Sequence, residues 1–239
     1  ISWNLMKQDP IEYLYSLQRF GIKLGLERMQ KFMKLLSNPH TKFPSIHVTG
    51  TNGKGSVCAY LAKVLEEAGY KVGLYTSPHL VKFNERIQIN GKQITDTKIA
   101  ELVEYIKTNV ADAHTTFFEF TTALAFVYFA QENVDIAIIE VGLGGNLDAT
   151  TVITPLVSVI TNISLDHTKI LGETNLQIAE KKAGVIKKKI PLVTGEKDPA
   201  VLKMFETKCQ ELATEVIPTS SYTILENCNG LQKFEFLNS

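Results

Sequence analysis

A glycine-rich segment around residue 50 could cradle a phosphate group; it reads Val48-Thr-Gly-Thr-Asn-Gly-Lys-Gly-Ser56. Gly50, Gly53 and Gly55 lack a Cβ, so they can take left-handed conformations that turn backbone N–H groups toward one point. Lys54 adds a positive charge there. A β-prone run precedes the segment and apolar residues at helical spacing follow it, which places the loop at the positive end of a helix. The pattern predicts ATP binding by Gly50, Thr51, Asn52, Gly53, Lys54, Gly55 and Ser56.

Two departures separate this loop from the usual phosphate-loop pattern of Gly, four residues, Gly-Lys and Ser or Thr. Val48 stands where the first glycine belongs, and Gly55 separates Lys54 from Ser56. Taken alone, the segment could also be an ordinary glycine-rich turn that joins a strand to a helix.

Three further polar positions follow predicted strands, at the edge where ligands bind in an open parallel sheet. Glu140 ends an apolar strand, so its carboxylate is expected near the phosphate loop. Ser77 could offer its hydroxyl to Mg²⁺, and His167 follows Asp166. Each has a plain structural alternative: an ion-paired or helix-capping glutamate, an ordinary Ser-Pro turn, and a solvated or hydrogen-bonded histidine.

The loop and seven later segments occur in the same order and at similar spacing as the motifs of one ligase family. The chain resembles folylpolyglutamate synthase and dihydrofolate synthase, which are relatives of the Mur ligases. The seven segments are Tyr75–Leu80, Glu85–Ile87, Phe117–Phe120, Glu140–Gly145, Leu147–Thr150, Asp166-His167 and Lys182–Gly184.

This resemblance implies an ATP-dependent ligase. A folate or dihydropteroate carboxylate would attack the γ-phosphate, and the amine of L-glutamate would displace phosphate from the resulting acyl phosphate. Mg²⁺ would be held by the residues that match the family's ligands, Ser77, Glu140 and His167, and by a carbamylated Lys182, since a carbamate supplies the oxygen donors that this ion prefers. The residues implied to act in catalysis are Lys54, Lys182 and His167. Those implied to form the pterin-side pocket are Thr116, Phe118, Glu119, Asp148 and Ala149.

Two residues depart from the family pattern. Lys181 stands where glutamate is usual, and Asn146 where arginine is common. On sequence alone, Lys181 and Lys182 form an exposed helix face; a second cation could instead lower the pKa of Lys182 and favour the free amine that reacts with CO₂.

In the pocket, Asp148 could accept paired N–H donors from an aminopterin ring and Phe118 could stack on it. Helix core is the alternative for two of Phe117, Phe118 and Phe120.

Two rival functions stand beside the folate ligase. One is a Mur ligase acting on a nucleotide-linked muramyl substrate; the glycine after Lys54 and the Ser-Pro-His-Leu segment argue against it. The other is a truncated nucleotide-binding module without activity of its own. The sequence does not separate a dihydrofolate synthase from a folylpolyglutamate synthase.

Composition excludes other classes of function. Lys plus Arg and Asp plus Glu number 25 each, so no global charge attracts nucleic acid or an anionic membrane surface. The longest apolar run, Ala123–Ala130, falls short of the ~18 residues that a membrane span needs. The three cysteines are an odd set without metal-type spacing, which favours reduced thiols and a cytoplasmic protein. We expect a monomer that binds small molecules.

Alternating short apolar strands and helices predict an α/β fold with a mostly parallel sheet, helices on both faces and a small antiparallel element, as in the ATPase domain of the resembled ligases. The predicted strands are Ser45–Val48, Val72–Tyr75, Asp135–Glu140, Pro155–Ile160 and Ile190–Thr194, with hairpins at Arg86–Ile94 and Tyr222–Phe236. The predicted helices are Pro10–Phe20, Leu26–Leu36, Val57–Ala68, Asp96–Val110 (capped by Asp96), Phe118–Gln131, Thr174–Ala183 and Pro199–Leu212. We interpret residues 1–239 as an N-terminal ATP-binding domain. The family's smaller C-terminal domain is then absent, and turnover is expected to need it.

Overall fold

The computed structural model describes residues 9–21, 25–110, 115–219, 222–228 and 231–236, the last two ranges by their backbone. Within these ranges one eight-stranded sheet organises the chain, in the order β4-β3-β2-β5-β1-β6-β7-β8. Its strands are β1 (Ser45–Thr49), β2 (Val72–Tyr75), β3 (Ile87–Ile89), β4 (Lys92–Gln93), β5 (Ile136–Glu140), β6 (Val157–Ile160), β7 (Leu192–Thr194) and β8 (Val216–Pro218).

Helices connect most of the strands. They are α1 (Pro10–Ser16), α2 (Leu26–Leu35), α3 (Lys54–Glu67), α4 (Asp96–Asn109), α5 (Phe117–Gln131), α6 (Thr168–Leu171), α7 (Asn175–Lys182) and α8 (Pro199–Glu211). Short 3₁₀ helices cover Leu17–Phe20, Pro39–Thr41, Phe83–Arg86, Ala149–Val152 and Ala183–Val185.

The central strand β1 pairs in parallel with β5 on one side and with β6 on the other. Strand β2 extends the parallel sheet beyond β5, and β7 and β8 extend it beyond β6. The antiparallel pairings of this sheet, within the described residues, are those of β3 with β2 and with β4, at one edge. The predicted mostly parallel α/β sheet is confirmed.

Apolar residues on both faces of the sheet explain why helices cover both. Side chains alternate along a strand, so neighbouring residues of β5 face opposite sides. Ala137 and Ile139 belong to a core formed with α1, α2, α4 and α5, whereas Ile138 packs with Val48 and with Cys58 of α3. A further core between the sheet and helices α7 and α8 contains Ile160, Leu192 and Phe205 at its centre, among other buried residues.

Threonine hydroxyls fix three helix starts. Thr116 and Thr174 begin α5 and α7 with reciprocal capping boxes, in which the third helical residue returns a hydrogen bond. Before α4 the cap is Thr95, whose hydroxyl accepts from the Lys98 amide at 3.2 Å. The prediction that Asp96 caps α4 is wrong, because its carboxylate accepts from the Asn84 amide group at 2.7 Å instead.

Among the α-helices and strands of the described residues, two have no counterpart in the sequence analysis: the four-residue helix α6 and the edge strand β8, which ends in Pro218. Strand Pro155–Ile160 is shorter than predicted and begins at Val157. The predicted C-terminal hairpin is present as β9 (Tyr222–Cys228) and β10 (Leu231–Phe236), antiparallel to each other. Its expected Asn229-Gly230 turn lies outside the described residues.

Two cysteine side chains are described, and both are buried free thiols, Cys58 and Cys209. A search of the described residues finds no helix long and apolar enough to cross a membrane.

Candidate functional site

The predicted phosphate loop joins β1 to α3 and depends on glycine at two positions. Gly50 has φ +148° and Gly53 has φ +81°. At Gly50 a Cβ would lie 1.8 Å from the Thr161 hydroxyl oxygen, so no side chain fits there. Gly55 differs from the prediction: it lies inside α3 with ordinary helical geometry, and its missing Cβ leaves room toward Glu140.

The segment that follows β6 holds the loop in place. The Thr51 amide donates to the Asn162 carbonyl at 2.9 Å, and the Asn52 amide donates to the Asn162 side chain at 3.0 Å. In return, the Thr161 hydroxyl donates to the Asn52 carbonyl at 2.6 Å. The Thr51 hydroxyl reaches the Ser164 carbonyl at 3.1 Å. Sequence reasoning missed this clamp, because nothing in the spacing links residues 51–52 with residues 161–164.

Two lysines meet at one carbonyl of the loop. Lys54 Nζ donates to the Gly50 oxygen at 3.0 Å, and Lys182 Nζ donates to the same oxygen at 2.8 Å. Burial lowers the pKa of Lys182 to about 8; the Lys54 charge acts in the same direction and Asp166 opposes it. The exposed helix face expected on sequence alone is therefore wrong for Lys182, which is 3% exposed. Lys181 is exposed, and the cation that disfavours the Lys182 charge is Lys54.

Glu140, at the end of β5, lies between the phosphate loop and Ser77. One carboxylate oxygen accepts the Ser77 amide at 2.9 Å. The other is 3.9 Å from the point where a Cβ on Gly55 would lie. Burial raises the pKa of Glu140, while the Ser77 amide and the charges of Lys54 and Arg86 oppose that shift. The carboxylate thus stands beside the phosphate loop, where the sequence analysis expected it.

His167 occupies a different position from Glu140 and Ser77. It has φ +45° and precedes α6, and its ring lies 3.8 Å from the Asp166 carboxylate with 59% of the side chain exposed. Among the described residues no three His, Cys, Asp or Glu side chains are grouped as a metal site would need. Of the four predicted metal ligands, Ser77 and Glu140 are in direct contact. The His167 ring lies beside Asp166, whose charge also acts on Lys182.

A cavity of about 450 Å³ opens next to Ser77 and Glu140's strand end. The ring of Phe118 forms part of its wall and requires glycine opposite, since a Cβ at Gly142 would lie 2.4 Å from the ring. Every residue predicted for the pterin-side pocket lines this cavity: Thr116, Phe118, Glu119, Asp148 and Ala149.

Phe117 and Arg86 also line the cavity wall. Phe117 stacks on Tyr15 with 5.8 Å between ring centroids, and the Arg86 guanidinium lies 5.4 Å from the Phe117 centroid. Arg86 is 7% exposed and donates to His79 at 2.7 Å. Of the three phenylalanines, Phe120 is buried in the core, and Phe117 and Phe118 are partly buried and pack against that core.

Two carboxylates of the cavity are held by the chain itself. Glu119 accepts the Thr116 amide at 2.8 Å and pairs with the Arg28 guanidinium at 3.0 Å. Asp148 accepts the amides of Leu143 and Thr150, each at 2.9 Å, and the Thr150 hydroxyl at 2.5 Å. Burial raises the pKa of Asp148, and these hydrogen bonds, with another from the Gly142 amide, oppose that shift. These contacts orient both carboxylates, and their part in binding a pterin stays a prediction.

The strand, phosphate loop and helix, with a carboxylate at the end of the adjacent strand, define a nucleotide-binding α/β domain. Residues 48–223 match the family model described as Mur ligase middle domain. The chain belongs to that family.

Named relatives give finer comparisons. The chain is 44% identical over 213 residues to the dihydrofolate synthase/folylpolyglutamate synthase of Bacillus subtilis (strain 168), covering 86% of this chain and 50% of the relative. It is 46% identical over 198 residues to the folylpolyglutamate synthase of Lacticaseibacillus casei, covering 80% and 46%. The chain therefore spans about half the length of the curated relatives it matches.

Solved structures are similar in fold. The apo form of L. casei FPGS superposes with a TM-score of 0.88 at 39% identity, covering 95% of this chain and 58% of that one. E. coli FolC in complex with DHPP and ADP superposes with a TM-score of 0.86 at 33% identity, covering 96% and 56%.

Proposed function

We propose that this chain is the ATP-binding part of a ligase that joins L-glutamate to a folate or to dihydropteroate. The observation that carries the proposal is the position of Glu140. One of its oxygens faces the helix of the phosphate loop, and the other binds the Ser77 amide on the wall of the large cavity. A γ-phosphate on the loop and a carboxylate at the cavity mouth would meet beside this side chain.

The chain's own groups supply positioning and charge compensation. The loop amides and the N-terminus of α3 hold the phosphates, and Lys54 exchanges its contact with the Gly50 carbonyl for a contact with phosphate. The acceptor carboxylate, aligned by the cavity, attacks the γ-phosphorus and expels ADP. The glutamate amine then attacks the acyl carbon, and phosphate leaves. The aromatic wall of Phe117 and Phe118 excludes water that would hydrolyse the acyl phosphate.

The residues present fit Mg²⁺ at one position. The buried Glu140 carboxylate keeps lone pairs after accepting one amide, and Ser77 adds a hydroxyl oxygen. When bound, the ion would neutralise phosphate charge and act as a Lewis acid.

At the second position, His167 and Lys182 fit only if Lys182 carries a carboxylate, since an ammonium group repels a cation. A lysine whose pKa is about 8 offers far more free amine to CO₂ than an ordinary lysine does, which supports carbamylation.

The comparisons support the proposed substrates. The curated relatives are named for dihydrofolate and folylpolyglutamate synthesis. An FPGS–AMPPCP–folate complex superposes on the chain with a TM-score of 0.87 at 39% identity. We also propose a monomeric, cytoplasmic protein whose ligands are small molecules, in which a second domain completes the glutamate and nucleotide sites.

The test supplies the full-length protein, including the second domain that turnover is expected to need, with ATP, Mg²⁺ and isotope-labelled L-glutamate. Separate reactions receive dihydropteroate, a reduced folate or a nucleotide-linked muramyl acceptor, and labelled amide, ADP and phosphate are measured. We expect one ADP and one phosphate for each amide bond formed with a pterin acceptor. Preference for the muramyl acceptor would overturn the substrate, and ATP binding without product for any acceptor would indicate a nucleotide-binding module without activity.

A further inference from the structure

A buried chain of hydrogen bonds runs from the central strand to the wall of the large cavity. His47 of β1 lies 2.9 Å from the Thr150 hydroxyl through Nε2, and that hydroxyl lies 2.5 Å from the Asp148 carboxylate. His47 and Thr150 are fully buried, and Asp148 is 4% exposed. We call these three residues the His47 relay. It joins positions about 100 residues apart in sequence.

Counting protons fixes the direction of each hydrogen bond. The Asp148 carboxylate receives the amides of Gly142, Leu143 and Thr150 as well as the Thr150 hydroxyl, so it acts as an ionised acceptor. The hydroxyl has one proton and gives it to Asp148. It must therefore accept from His47, whose Nε2 carries the hydrogen.

The other imidazole nitrogen agrees with this assignment. Nδ1 of His47 is buried and has no hydrogen-bond partner, which suits a lone pair better than an N–H group. A proton on Nδ1 would create a buried imidazolium near Lys187, whose ammonium group donates to the Thr151 carbonyl. Burial and the Lys187 charge both lower the pKa of His47, to about 3. The ring is a neutral, fixed donor.

A histidine at position 47 stabilises the core less than an apolar side chain would. Its partners across the sheet, Ile139 of β5 and Ser158 of β6, are both fully buried. An apolar side chain at position 47 would leave no polar nitrogen unsatisfied in the core. The imidazole is thus better explained by what its N–H group does for Thr150 and Asp148 than by packing.

We propose that His47 is a positioning residue for the large cavity, where the pterin acceptor would bind. Its Nε2–H occupies a lone pair of the Thr150 hydroxyl, which fixes the rotation of that hydroxyl and commits its proton to Asp148. The carboxylate is then held in one orientation on the cavity wall, where it shapes the space that a pterin ring would fill. This inference rests on the proposed function of the cavity.

The binding test uses calorimetry with dihydropteroate and, separately, ATP. His47→Leu removes the donor, while His47→Gln puts an amide N–H at the same number of bonds from Cα. Thr150→Val removes the hydroxyl and Thr150→Ser keeps it. We expect His47→Leu and Thr150→Val to weaken dihydropteroate binding about tenfold, and His47→Gln and Thr150→Ser to retain most of the affinity. ATP affinity should not change, and in turnover the acceptor KM should rise more than kcat falls.

Thr194→Val is the matched control. Thr194 is also a fully buried threonine, but its hydroxyl donates to the Ile160 carbonyl at 2.8 Å instead of into the relay. The Thr194→Val variant should unfold at a lower urea concentration than wild type, as Thr150→Val does, and should keep its affinity for dihydropteroate. An equal loss of affinity in this control, or normal affinity in both His47→Leu and Thr150→Val, would overturn the positioning role.

Nitrogen NMR of the ligand-free protein tests the relay without any substrate. With His47→Gln to assign the signal, we expect the Nε2–H tautomer at neutral pH. A hydrogen on Nδ1 would overturn the relay even if dihydropteroate binds. A wild-type protein that shows the Nε2–H tautomer but binds neither dihydropteroate nor folate would overturn the proposed function of the cavity, and with it the relay's role in binding.

Discussion

Replacement of Lys182 by methionine should change how the stability of the protein depends on pH. Methionine fills a similar space without a charge. The pKa of Lys182 is lowered to about 8 from an ordinary value of 10.5, first by burial and then by Lys54. Below pH 8 the folded state holds a buried ammonium group that the unfolded chain would solvate. Between these two pKa values the unfolded state binds more protons, so this lysine's destabilising effect fades as pH rises.

The size of the effect follows from the two pKa values. A shift of about 2.5 units corresponds to roughly 3 kcal/mol of destabilisation at neutral pH relative to strongly alkaline solution. About half of this destabilisation by Lys182 remains at pH 9.5. The unfolding free energy of the wild type should rise over this range by more than that of Lys182→Met. The difference between the two should therefore fall by about 2 kcal/mol between pH 7.5 and pH 9.5.

Urea unfolding in CO₂-free buffer at the two pH values measures this difference. Lys181→Met, on the exposed side of the same helix, controls for removing a lysine charge from α7. Comparing each variant with wild type cancels the tyrosines and other lysines that titrate in the same range. A stability difference between Lys182→Met and wild type that is the same at both pH values would refute the reasoning that Lys182 is a destabilised buried cation.

The remaining predictions concern the proposed ligand sites. Lys54→Ala should fold normally and lose tight ATP binding in a calorimetric titration, because the loop keeps its amides but loses the cation that offsets phosphate charge. Unchanged affinity would remove this lysine from the mechanism. Glu140→Gln is nearly isosteric and should keep its fold while losing Mg²⁺-dependent turnover; normal activity at ordinary Mg²⁺ would make Glu140 structural. Carbon NMR in labelled bicarbonate should show a carbamate that is absent from Lys182→Ala and fades at low pH, and short carboxylic acids should partly restore turnover to that variant. An unmodified ammonium group at Lys182 in a structure with bound nucleotide and Mg²⁺ would contradict the proposed carbamylation.

Local patterns in the sequence predicted most of the fold and the centre of the site. The strands and helices follow from runs of apolar residues and from threonine, glycine and proline at their ends. Glu140 could be placed beside the phosphate loop because the carboxyl ends of parallel strands share one edge of the sheet. The five pocket residues came from the family resemblance, and all of them line one cavity.

Contacts between distant residues could not be predicted in this way. A pair of adjacent lysines on a short helix does not reveal which one points inward, so the burial of Lys182 and its shared carbonyl with Lys54 needed the structure. The Asp148 carboxylate was expected to be free for a ligand, yet it already accepts several donors of the chain. Strand β8 was missed because three residues ending in proline give too little pattern to recognise.

The contacts of residues 161–164 with the phosphate loop determine when the nucleotide site can form during synthesis of the chain. Strand β1 emerges early. Its neighbour β5 follows about 90 positions later, and β6 and the residues that hold Asn52 follow about 110 positions later. Pairings between such distant segments form slowly, since a long loop must close first. A growing chain that has passed only β5 has one side of β1 unpaired and the loop unclamped. A ribosome-bound chain should therefore gain nucleotide affinity late and abruptly, once residues 157–164 have left the exit tunnel.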